Sequence, residues 1–214
     1  MKKRIKTAIG ILMMLTTITI SDKVYVFFVY ILAASLHEFG HLFIAKALRI
    51  KIKRIFFDFS GVRIAVDSNI TSYRSEILLA LAGPAVNILL ATLTSYIVLR
   101  DRSTEEVITA TEKFLSTGNP TIKGIYGFFI AASCIQAIIN LLPIKSFDGG
   151  RILYCVVSLI INERIADKTL SLTSGVFAFL LWTISLYLML RISAGLGIFV
   201  FSVSIFMLML TNPD

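Results

Sequence analysis

The only two histidines of this 214-residue chain stand four residues apart, in His37-Glu38-Phe39-Gly40-His41. On a helix, positions i and i+4 lie about 40° apart on one face, so both imidazoles can reach one ion. Glu38 is offset by about 100°, beside the ion position without having to ligate it. That is the arrangement an HExxH pattern needs: two nitrogens hold zinc, and a neighbouring carboxylate takes a proton from water. As packing residues, three titratable groups in five would be costly. One charged residue at the centre of a membrane helix costs about 2.5–3.5 kcal/mol on insertion scales.

A catalytic zinc takes three protein ligands and keeps an open position. Of the thirteen acids, eleven fall in loops, near span ends or at the tail, leaving Glu38 and Asp148. Asp148 follows Asn140-Leu-Leu-Pro143-Ile-Lys-Ser-Phe and precedes Gly149-Gly150. Pro143 is expected to stop a helix, and the glycines to free the backbone after the Asp. Broken helices at membrane depth are tolerated only when buried in protein or lining a wet cavity. As an alternative, Asp148 caps a helix starting near Arg151.

The rest of the chain must hold these groups within lipid. Apolar residues make up 57% of it and charged residues 16%, and its mean hydropathy is +0.85. Such a composition excludes disorder and argues against a water-soluble globule. The net charge is +8. It is read as basic loops flanking membrane helices rather than a nucleic-acid surface. Cys134 and Cys155 both lie in apolar runs, so no disulfide framework is implied.

Runs long enough to span, or nearly so, cover residues 5–20, 24–45, 77–99, 124–142, 170–190 and 192–210. The expected fold is thus an α-helical polytopic membrane protein of about six transmembrane helices in a single domain. Residues 143–161 read as a re-entrant or interfacial piece, and 100–123 as a polar outside loop. The basic opening also suits a signal peptide, but no small-x-small site follows it. With both termini in the cytosol, 15 of the 21 basic residues fall on the cytosolic side. The histidines then occupy the cytosolic half of their span, with Asp148 just past the end of another inward-running span. Lys46, Arg49, Lys51, Lys53 and Arg54 read as a headgroup anchor.

Between Ile55 and Val66 apolar residues alternate around Ser60-Gly61. This predicts a β-hairpin on the cytosolic side, pairing Phe59 with Val62, Phe57 with Ile64 and Ile55 with Val66. Asp58 would then oppose Arg63. Asn87 and Gln136 fit packing as well as function, and Gly83-Pro84 is expected to kink its span.

Taken together, HEFGH, Gly83-Pro84-Ala85-Val86-Asn87 and Asn140-x-x-Pro143…Asp148-Gly149 resemble the site-2 protease family of intramembrane zinc metalloproteases. The resemblance implies one zinc per chain held by His37, His41 and Asp148, with Glu38 activating water as general base and acid. Asn140 would orient substrate or help stabilise the oxyanion. A hairpin follows the HExxH helix in this family. Here its Phe57, Phe59, Val62 and Ile64 are taken as substrate-binding residues, with substrate adding as a strand. The implied partners are the bilayer, a transmembrane or membrane-associated protein substrate and a regulatory membrane protein, with no nucleic acid. A bacterial or archaeal cell membrane is the expected location. Where the family often has a second proline and a leucine before the Asp, this chain has Ser146 and Phe147. The layout resembles the short branch that processes sporulation factors, without a PDZ or nucleotide-sensing domain. The rival class is a membrane transporter using the same His/Glu/Asp cluster.

Overall fold

The computed structural model describes residues 24–50, 52–58, 61–66, 72–100, 103–117, 120–191 and 203. The expected spans 5–20 and 192–210 lie outside these, residue 203 aside. The elements run α1 (Val24–Ala47), β1 (Ile52–Asp58), β2 (Gly61–Val66), α2 (Tyr73–Leu99), α3 (Thr104–Thr117), α4 (Ile122–Asn140), α5 (Asp148–Ile160) and α6 (Glu163–Arg191). Among the described residues four helical segments are long and apolar enough to cross a bilayer: Phe28–Ala47, Tyr73–Leu99, Ile122–Asn140 and Glu163–Tyr187.

Burial runs opposite to that of a water-soluble protein. Phe39, Phe43, Ile88, Leu89, Ile138 and Leu172 are exposed on these helices, whereas His37, His41, Asn87, Ser133, Gln136 and Ser174 are buried. Lipid is as apolar as leucine, so large apolar side chains gain little by leaving it, and polar groups must find partners inside. Small residues line the interior instead, among them Ala33, Ala34, Ala80, Ala82 and Ala137. This is a polytopic helical membrane protein.

Among the described residues the chain divides into two compact units, one within residues 21–70 and 81–140, the other within residues 71–80 and 141–214. In the first unit, α1 ends in a two-bond cap. Ile50 N–H donates to Ala45 O and Arg49 N–H to Lys46 O, with Arg49 at φ 55°. That is a Schellman cap with arginine where glycine is usual.

The strands β1 and β2 pair antiparallel, and β2 packs against α1. Their register corrects the expected one. Asp58 faces Gly61, Phe57 faces Val62, Phe56 faces Arg63 and Ile55 faces Ile64. The ladder is thus slipped by two residues, and Arg63 does not oppose Asp58. Alternating apolar residues look the same after a slip of two, so the pattern fixes the parity of pairing but not its register. An irregularity between Ile52 and Arg54 then brings Ile52 opposite Val66. Phe59 lies outside the described residues.

The expected polar loop 100–123 contains a 14-residue helix, α3. Ser103 Oγ accepts the Glu106 N–H at 3.3 Å, and Ser103-Thr104-Glu105-Glu106 is a capping-box sequence. Val107 and Phe114, two turns apart, are buried where α3 packs on α4. Gly124 lies tight against Phe114, where a β-carbon would come within 2.6 Å.

In the second unit α5 packs on α6. The α5 helix begins at Asp148 itself, with Phe147 as N-cap, so the alternative of Asp148 capping a helix near Arg151 does not hold. An acid in the first turn is favourable to the helix dipole. The turn before it is pinned twice: Ile144 is fully buried against Ala178, and Lys145 N–H donates to Ser174 Oγ at 2.8 Å. The glycines after Asp148 serve a purpose other than the expected one. Both are helical without left-handed φ, and a β-carbon on Gly149 or Gly150 would fall 2.0 Å from Leu141 O or 2.1 Å from Ile144 O. They allow the helix start to lie on the turn.

Candidate metal centre

Two helices build the centre within the first unit. Because α1 carries His37 and His41 one turn apart, both rings point the same way, and their Nε2 atoms stand 3.2 Å apart. The ring planes are nearly perpendicular, at 81°. Both histidines are buried, at 2% and 8% exposure, while Glu38 is half-buried. One ligand atom from each of His37, Glu38 and His41 lies within 4.8 Å of the others.

Opposite them runs Gly83 of α2. A β-carbon there would sit 2.5 Å from His37 Nε2 and 2.4 Å from His41 Nε2. The missing side chain therefore leaves a space facing both nitrogens at once. A proton shared between two imidazoles explains their separation but not that space. A cation explains both: two Zn–N bonds of about 2.0–2.1 Å at a near-tetrahedral angle set their nitrogens about 3.3 Å apart. The donor set, two neutral nitrogens with a carboxylate adjacent, is one zinc accepts. Gly40 of α1 permits the close crossing, since a β-carbon on it would meet Ala82 O at 2.7 Å.

Gly83 and Asn87 are one turn apart on α2 and so share a face. Asn87 Nδ2 lies 3.2 Å from His37 Nδ1 and donates to Gln136 Oε1 of α4 at 3.0 Å. Gln136 is in turn one helical turn before Asn140, the last residue of α4, which is half-buried.

The profile of peptidase family M50 matches residues 24–184, three quarters of the chain. The chain belongs to peptidase family M50. This is the site-2 protease family, and the M50 chain is accordingly an integral-membrane metallopeptidase in class. Among solved structures, its fold is similar to that of the site-2 protease from Methanocaldococcus jannaschii. The TM-score is 0.62 at 19% identity, over 92% of this chain and 84% of that one. No curated protein sequence matches.

Of the site residues expected from sequence, His37, Glu38 and His41 of the M50 chain come together. Asp148 belongs to the second unit, at the first residue of α5. Phe57 and Val62 are partners in the hairpin, as are Ile55 and Ile64. The close approach of Gly83 to both imidazoles is not anticipated in the sequence reading. The four-residue spacing in Gly83-Pro84-Ala85-Val86-Asn87 puts both motif ends on one helix face, but it does not show what that face meets. Pro84 does not interrupt α2, which runs from Tyr73 to Leu99.

Proposed function

We propose that this chain is an intramembrane zinc metalloprotease that hydrolyses a peptide bond in or near a transmembrane segment of a membrane-protein substrate. The observation that carries it is the pair of imidazole nitrogens facing the space kept open by Gly83, with Glu38 adjacent. His37 and His41 would hold one zinc, with Asp148 as third ligand, a role supported by its motif. Bound zinc supplies Lewis acidity to water and to the scissile carbonyl. Glu38 takes the proton of the attacking water and returns it to the leaving amine. Asn140, through its amide N–H, helps stabilise the developing oxyanion or orients the substrate.

A substrate helix must open before attack, because its carbonyls are already hydrogen-bonded. The hairpin offers strand edges for the extended segment, with Phe57, Val62 and Ile64 along it. A proline at position 57 or 64 removes a backbone donor, so cleavage should fall while zinc content stays the same. The asymmetry of basic residues supports cytosolic termini and a site toward the cytosol.

The test is Glu38→Gln. The variant should keep zinc and lose cleavage of the membrane proteins it traps. A variant that still cleaves contradicts the proposed proton transfer. A metal carrier would have no need of that carboxylate as a base.

A further inference from the structure

We propose that Asn87, oriented by Gln136, is a positioning residue that fixes the tautomer and ring direction of His37. This rests on the metal reading above. A histidine that ligates through Nε2 carries its proton on Nδ1, and that N–H needs an acceptor. Asn87 is the side chain 3.2 Å from His37 Nδ1, and Gln136 holds the same amide at 3.0 Å. All three residues are buried, Asn87 completely.

Packing accounts poorly for this amide. Asn87 Oδ1 is buried and finds no partner among the described residues. An unpaired buried polar atom costs about 1–3 kcal/mol, which an apolar residue of the same size would avoid. The orientation of the amide also carries information. In the structure Nδ2 faces His37 Nδ1, so Nδ1 accepts and the ring proton belongs on Nε2, beside His41 Nε2. With a cation on Nε2 the proton moves to Nδ1, and Asn87 must present Oδ1. The two ends of an amide have nearly the same shape, so the side chain can turn in place. Gln136 then turns with it, its Nε2 donating to that Oδ1. The two amides thus have two matched orientations, one for each tautomer of His37.

The experiment measures zinc affinity of the full-length protein in detergent, by competition with a chromogenic chelator. Asn87→Leu should weaken binding about 10- to 100-fold, the usual range for losing an outer hydrogen bond to a ligand. Asn87→Asp can only accept, as the zinc-ligating tautomer requires, and should bind as well as wild type or better. Gln136→Glu can only accept from Asn87, holds Nδ2 inward, and should weaken binding. Asn87→Leu binding like wild type, or Asn87→Asp binding more weakly than Asn87→Leu, would overturn the proposal. Wild type that binds no zinc would instead overturn the metal centre itself, and this proposal with it.

Discussion

The backbone of Gly83 passes so close to His41 that a β-carbon on it would lie 2.4 Å from Nε2, nearly where a cation bound to that nitrogen would sit. The motif glycine thus acts by leaving room.

Gly83→Ala should therefore abolish the site while favouring the helix. Alanine is better than glycine in a helix interior by about 1 kcal/mol. Helicity by circular dichroism should hold, while zinc affinity drops by more than about 100-fold, beyond the loss of one outer hydrogen bond. Unchanged affinity would mean the cation sits elsewhere.

Gly149→Ala and Gly150→Ala should each destabilise the start of α5. Their added methyls would collide with backbone oxygens of the Leu141–Ile144 turn, which cannot swing aside as a side chain can. A cost of about 1–3 kcal/mol is expected from such overpacking, read as a lower unfolding midpoint in detergent.

Arg49→Gly should stabilise the chain. Arg49 holds φ 55° at the end of α1, where a side chain costs about 1–2 kcal/mol and glycine nothing. The unfolding midpoint should rise. A fall would mean the arginine side chain contributes more than its backbone costs.

Cys155 should resist alkylation. Its thiol is pushed up to about 12, first by burial and then by the Glu76 carboxylate, 3.5 Å from Sγ. At pH 9 only about one molecule in a thousand would be thiolate, against most of an ordinary thiol of pKa about 8.5. With Cys134→Ser removing the other thiol, iodoacetamide should label the folded protein only slowly at pH 9 and the unfolded protein rapidly. The folded state holds this proton more tightly. Its stability should therefore be unaffected below about pH 8.5 and decline as pH rises toward 12.

Much of this was legible in sequence because lipid simplifies the signal. Hydropathy alone places the apolar parts of α1, α2, α4 and α6, and HEFGH places three side chains on one turn. What hydropathy misses is polar helix. The α2 and α6 helices begin before their apolar runs, at Tyr73 and Glu163, where Ser72 Oγ accepts from Arg74 N–H and Asn162 Oδ1 from Ile165 N–H. Ser103 does the same for α3. These caps are recognisable as residue types, but they lie outside the apolar windows. The hairpin register was not readable, since its alternation repeats every two residues. Nor was the close approach of Gly83, which depends on two helices crossing rather than on either one alone.

The most direct test is the metal content of the purified protein, measured for wild type, Glu38→Gln and the His37→Ala/His41→Ala double variant. One zinc per chain is expected in the first two, and none in the double variant. Wild type without zinc, or zinc that persists after both imidazoles are removed, would contradict the account.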